Sequence, residues 1–270
     1  MMLFTKGHAT GNDFVIIDDH HGALDLRAEQ VVWLCDRRRG IGGDGVLRVV
    51  RAGNVPDSDA DDPAVWFMDY RNADGSVAEM CGNGLRLFSR HLLEQGLVGE
   101  AEFVVATRAG LRRVRELPDS TLATDLGEVK VGRAPVTIRH QGRELEGHPA
   151  DVGNPHAVCF VDGEELDALD LTIAPTWEPA EAFPNGVNVE FIHVVEPGRL
   201  RMRVHERGCG ETLSCGTGVV AAATVHRLRS GVEGPVRVSV PGGDLTVTFE
   251  DGGTWLTGPA LVVAEGEFRH

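Results

Sequence analysis

Lysine is nearly missing from this sequence: among 26 Lys and Arg residues, only Lys6 and Lys130 are lysines, and each lies in a stretch that reads as strand. A cofactor held as a lysine aldimine therefore has few points of attachment. Positive charge is short altogether, with a formal net charge of -15, which argues against nucleic acid as a partner because such binding rests on Lys and Arg neutralising phosphates. No apolar run is long enough to span a bilayer, and the start MMLFTKGHATGNDF lacks a basic segment followed by a long apolar stretch. The expectation is a cytoplasmic protein with no signal peptide and no membrane partner. The five cysteines, at 35, 81, 159, 209 and 215, are odd in number and not closely paired, which fits free thiols better than a disulfide framework.

What the chain has in quantity is β-branched and alternating runs: FVIID, DGVLRVV, VWFMDY, EFVVAT, EVKVG, HAVCFV, VNVEFIHVV, LRMRVHE, PVRVSV and LTVTF, separated by Gly, Asp, Asn and Pro. Against them, residues 83–95 and 217–229 have helical periodicity, with Gly96 and Gly231 placed to end the helices. A third helix is expected over 27–37 and a short one in EELDALDL. Both long helices are apolar over much of their circumference, as expected of a helix wrapped by strands.

Each long helix directly follows a Cys-Gly: EMCGNGLR at 79–86 and LSCGTGVV at 213–220, 134 positions apart (215 minus 81). The pattern predicts an α/β (α+β) fold of two pseudo-symmetric domains, each a strand-rich layer around a central helix, with a cleft between them. With 270 residues, two halves of similar size are reasonable. The segment LPDSTLATD (117–125) reads as the link. The expected halves are 1–122 with a C-terminal strand at 259–270, carrying Cys81, and 123–258, carrying Cys215.

The first turn of a helix leaves N–H groups unpaired and carries positive partial charge, which favours a thiolate and also binds carboxylates. Cys81 and Cys215 are therefore candidate reactive thiols. Gly82, Gly84, Gly216 and Gly218 would let a ligand approach the backbone. Two such units on opposite faces of one carbon would make an acid and a base, the requirement for inverting an amino acid's α-carbon. Cys35 and Cys159, set among apolar residues, read as small buried hydrophobes, and Cys209 as a bystander.

Six stretches carry a resemblance to a known family: GNDF (11–14), GIGGDG (40–45), YRNADGSVAEMCGNGLR (70–86), GNPHAV (153–158), GVNVEF (186–191) and HERGCGETLSCGTG (205–218). In this order, over nearly the whole chain, they resemble diaminopimelate epimerase. The resemblance implies two domains closing over a small-molecule substrate, diaminopimelate, whose LL and meso forms are interconverted with no cofactor and no metal. It also implies a homodimer, and a product that feeds lysine and peptidoglycan synthesis. By resemblance Cys81 and Cys215 are the acid and base, and His156 and Glu206 tune their acidity. Asn12, Asn72, Gly82, Asn83, Asn154, Asn188, Glu206, Arg207, Gly216 and Thr217 bind substrate. Neutral amides, one anion and one guanidinium suit a substrate with two ammonium and two carboxylate groups. One departure is Gly45, where the family frequently has Gln, so a polar substrate contact is expected to be missing or replaced there.

Three rival readings are weaker. A proline racemase-like enzyme shares the two-thiol logic but would not need Arg207 and several amides. A thiolate metal site would have only His205, Cys209 and Cys215 to draw on. The glycine-rich GIGGDG enters a strand-like run and not a helix, unlike a nucleotide-binding loop.

Overall fold

The computed structural model describes residues 2–250 and 252–269. The chain divides into two units, residues 1–125 with 258–270 and residues 126–257. The sequence reading set the divisions at 122/123 and 258/259; its outermost residues, Met1 and His270, lie outside the described residues.

In the first unit the elements run β1 (Met2–Ala9), β2 (Asn12–Asp18), α1 (Ala28–Cys35), β3 (Gly45–Arg51), β4 (Trp66–Asn72), α2 (Gly82–Glu94), β5 (Glu102–Thr107), β6 (Gly110–Glu116) and β7 (Leu122–Gly127). The second continues with β8 (Lys130–Val131), β9 (Val136–His140), β10 (Arg143–Asp151), β11 (Pro155–Phe160), α3 (Gly163–Ala168), β12 (Thr176–Glu178), β13 (Asn188–Glu196), β14 (Arg199–Glu206), β15 (Gly210–Glu211), α4 (Gly216–Ser230), β16 (Val236–Val240), β17 (Gly243–Glu250) and β18 (Gly253–Gly258). The last strand, β19 (Leu261–Phe268), pairs with β1 and so belongs to the first unit.

The strands of the two units repeat one pattern of senses. In the first unit β19, β1 and β2 are antiparallel neighbours, β2 and β3 parallel, β3 and β4 antiparallel, β4 and β5 parallel, and β5, β6 and β7 antiparallel. The second unit has the same succession along β9, β10, β11, β13, β14, β16, β17 and β18. In each, a short helix leads into the parallel partner of the third strand, and the long helix connects the fifth strand to its parallel partner, a crossover that a parallel pair requires. β19 holds in the first unit the position that β9 holds in the second.

Glycine in the left-handed region closes both long helices: Gly96 (φ +65°) follows α2 and Gly231 (φ +70°) caps α4. α2 packs on β1, β2, β3, β4 and β19, and α4 on β10, β11, β13, β14, β16 and β17. The alternation of the strands delivers Phe14, Ile16, Leu47 and Met68 to one core with Leu85, Phe88 and Leu92 of α2. The small residues Ala221, Ala222 and Ala223, all fully buried, let strands approach α4 closely. Segment 117–125 is not simply a link, because Leu122, Ala123 and Thr124 pair with β6 and are buried, so the chain passes between units within β7.

Leu92→Ala, in the last turns of α2 at 0% exposure, is expected to cost about 3 kcal/mol, whereas Leu228→Ala on α4, at 66% exposure, should cost less than about 0.5 kcal/mol. Denaturant titration of both variants checks this; equal losses would contradict the helix facings described here.

Candidate active site

Cys81 is the N-cap residue of α2, and its Sγ accepts from Gly84 N at 3.4 Å. The same sulphur lies 3.6 Å from Asn12 Oδ1, to which a thiol would donate. Both protonation forms of Cys81 are thus met, the thiolate by the helix start and the thiol by an amide oxygen. Asn12 Oδ1 also accepts from Asn83 Nδ2 at 3.2 Å, and Asn12 Nδ2 donates to Asp44 Oδ2 at 2.7 Å.

Asp44 belongs to an ion cluster at the mouth of β2. Arg37 Nη2 reaches Asp13 Oδ1 at 2.7 Å and Asp44 Oδ1 at 2.8 Å, and Lys6 Nζ lies 2.6 Å from Asp13 Oδ2. Burial alone would raise the Asp13 carboxyl, but hydrogen bonds from Arg37 and Lys6 hold it well below the ordinary carboxylate range. One of the two lysines is therefore bound up in this cluster.

Gly45 follows directly. A Cβ there would stand 2.5 Å from Arg71 O and 2.7 Å from Tyr70 Cε2, so no side chain fits without moving the backbone of β4. The position noted as a departure in the sequence thus has no side-chain space in this structure. Asn72, opposite Gly45 in the β3–β4 register, donates through Nδ2 to Ser76 Oγ at 2.9 Å and so braces its own turn.

In the second unit Cys215 precedes α4, 6% exposed, with its Sγ 3.5 Å from Thr217 Oγ1. Gly216 is buried in the first turn. Burial foremost, then the charges of Glu206 and Glu190, push this thiol well above the ordinary cysteine range; the Thr217 hydroxyl and the Gly218 amide only partly offset them. This corrects, for Cys215, the expectation that a helix start lowers the thiol's pKa: burial first, then two neighbouring carboxylates, outweigh the first-turn N–H groups.

Glu190 was not singled out in the sequence. It sits fully buried on β13, with Oε1 2.7 Å from His156 Nδ1 and Oε2 without a hydrogen-bond partner among the described residues. His156 Nε2 meets Asn154 Oδ1 at 2.9 Å. Burial raises the Glu190 carboxyl, and the imidazole hydrogen-bonded to it acts against that rise. Gly218 is what admits this carboxylate, since a Cβ at 218 would stand 2.6 Å from Glu190 Oε1.

Glu206 accepts from Thr212 Oγ1, Asn188 Oδ1 accepts from Arg207 N at 2.9 Å, and Arg207 Nη1 donates to Asn185 O at 3.1 Å. The structure thus gathers Cys81, Asn12 and Asn83 in one unit and Cys215, Thr217, Glu206, Asn154 and His156 around Glu190 in the other; Asn72, Asn188 and Arg207 hold their own loops. Cys35 and Cys159 are buried, and burial raises Cys35 to about 11 and Cys159 further still. Cys209 is exposed. Among the described residues no group of three or more His, Cys, Asp or Glu is arranged to hold a metal ion, and no helix is long and apolar enough to cross a membrane.

Two like units, each with strands around a central helix, define a fold class that recurs in solved structures. A PhzF-family phenazine biosynthesis protein from Bacillus anthracis superposes with a TM-score of 0.69 at 15% identity, covering 100% of this chain and 99% of the other. A hydroxyproline epimerase from Agrobacterium vitis gives 0.67 at 19%, covering 98% and 91%. The diaminopimelate epimerase family model matches residues 4–132 and 149–264. The relative from Thermobifida fusca, called diaminopimelate epimerase, is 50% identical over 273 residues, covering 99% of this chain and 98% of its own. The one from Streptomyces coelicolor is 47% identical over 277, covering 99% and 95%. The chain belongs to the diaminopimelate epimerase family, and so to the isomerases.

Because Glu206 is one of the two carboxylates acting on Cys215, Glu206→Gln should let the Cys215 thiolate form at a pH lower by about one unit. Alkylation of Cys215 followed by peptide mapping across pH reads this; a midpoint that stays put or rises would contradict the electrostatic account.

Proposed function

We propose that this protein interconverts LL- and meso-2,6-diaminopimelate without pyridoxal phosphate or metal, one of the two cysteines Cys81 and Cys215 removing the α-proton and the other supplying a proton to the opposite face. Family membership supplies the substrate. The observation that carries the chemistry is the pair of Cys-Gly helix starts in topologically equivalent places, each joined to its own set of polar partners.

Inverting a carbon centre requires one group to remove the proton on one face and another to supply one on the opposite face. A single-proton difference between two thiols meets the need at any instant, one thiolate and one thiol, with the roles exchanged on the return reaction. The elevated Cys215 suits the starting thiol for one direction, and its release as a thiolate is opposed by Glu206 and Glu190. Cys81, with Gly84 N on one side and Asn12 Oδ1 on the other, suits either form.

In this reading first-turn N–H groups bind the carboxylate at the reacting carbon, where an anion develops as the proton leaves. Asn12, Asn72, Asn83, Asn154, Asn188, Glu206, Arg207, Gly82, Gly216 and Thr217 bind the substrate, and His156 acts on the thiols through Glu190. Asn72, Asn188 and Arg207 would exchange present loop contacts for substrate. A homodimer and a cytoplasmic location rest on family membership as well.

Cys81→Ala and Cys215→Ala are each expected to slow epimerisation at least about a hundredfold, the scale of lost general acid–base catalysis, while Cys35→Ala leaves it intact. Turnover of LL-diaminopimelate followed by separation of the isomers is the assay, with proline as the comparison substrate. Near-normal turnover in either thiol variant, dependence on added pyridoxal phosphate, or faster racemisation of proline would each overturn the proposal.

A further inference from the structure

A buried charge stands behind Cys81. Arg86, five positions after Cys81 on α2, is 0% exposed. Side chains on a helix lean toward its N-terminus, which carries the guanidinium back to the first turn. There Nη2 donates to Asn83 Oδ1 at 2.6 Å and to Thr10 Oγ1 at 3.4 Å. Nε and Nη1 have no hydrogen-bond partner among the described residues.

A guanidinium buried without a carboxylate is costly. Burial draws Arg86 down to about 10, so it stays charged near neutrality, and the negative form of Cys81 is the charge that works against that decline. The other charged groups on elements packed against α2 have partners of their own: Lys6 pairs with Asp13, Arg48 and Arg71 with Asp69, His91 with Asp18 and Glu267 with Arg269, while Glu265 meets Gln95 beyond the far end of the helix. His8 Nδ1 accepts from Gly11 N.

Arg86 also sets the direction of a chain of amides. A guanidinium only donates, so it must face the oxygen of Asn83; Asn83 Nδ2 then donates to Asn12 Oδ1, and Asn12 Nδ2 to Asp44, which as a carboxylate only accepts. With a pure donor at one end and a pure acceptor at the other, the amides cannot flip without loss. The Asn12 oxygen is thereby held on Cys81 Sγ.

We propose that Arg86 is the positioning residue of Cys81: it fixes the amide oxygen that receives the thiol proton and supplies the buried cation against which the thiolate forms. The proposal deepens the reading of Cys81 as an acid–base group and rests on it. The equivalent position in the second unit, by the 134-residue offset (86 plus 134), is Val220, so this cation belongs to one thiol alone.

The test needs no substrate. Fully reduced full-length protein is alkylated with iodoacetamide across pH, and the modification of Cys81 and of exposed Cys209 is followed by peptide mapping. Arg86→Gln, which keeps a donor for Asn83 but removes the charge, should raise the Cys81 midpoint by about one pH unit, a tenfold loss of thiolate at fixed pH, and Arg86→Lys should restore most of it. A midpoint unmoved in the Gln variant, or equal shifts in the Gln and Lys variants, overturns the proposal. Should the Gln variant fail to fold, the unsubstituted protein decides: a Cys81 midpoint below that of Cys209 supports the cation's role, and one at or above it refutes that role. Turnover of diaminopimelate by the unsubstituted protein is measured separately, so failure of the functional reading is distinguishable from failure of this one.

Discussion

A helix enclosed by strands can offer its unpaired N–H groups at one place only, its own first turn, and in both units that turn opens Cys-Gly. The rest of the site depends on this constraint. At Gly218 glycine is required, because Glu190 occupies the space of a side chain. Burial is required because strands wrap the helix, and burial sets the acidity of whatever stands there.

The two units use the same scaffold with opposite charges behind it. Arg86 stands behind Cys81, whereas Glu190 and Glu206 act on Cys215. Identical surroundings would give two thiols of equal acidity, and near-equal groups leave the distribution of a single proton to chance. Opposed surroundings give the distribution a preferred sense, while the hydrogen bond between His156 and Glu190 and the amide contact at Cys81 keep the other sense within reach. A reversible exchange of roles, as epimerisation demands, is consistent with such graded differences.

The repeat, the two long helices and both helix-start cysteines were legible in the sequence because each has a local signature: periodicity, a terminating glycine, a Cys-Gly pair. β7 was misread in part because turn residues at 118–121 lead straight into a strand that continues through Gly127. Arg86 and Glu190 carried no such signal. Each is one charged residue in an otherwise apolar run, which reads as a solvent-facing position until neighbouring strands are seen to cover it. The share of Glu190 in raising the Cys215 pKa was hidden for the same reason, since Glu190 is 25 positions away in the chain (215 minus 190) and adjacent only through the packing of α4 on β13. At Gly45, visible as a departure, the lack of side-chain space is seen only with the carbonyl of Arg71 beside it.

The account turns on two separate groups handling the proton. Its most direct measurement is the early time course of LL-diaminopimelate in heavy water, with both isomers isolated and their α-carbon deuterium determined. A thiolate that keeps the proton it removes while a second thiol delivers deuterium puts label into the meso product and leaves the remaining LL substrate unlabelled. Deuterium entering the recovered LL substrate as fast as the product would show one group serving both faces, and would contradict the two-thiol account.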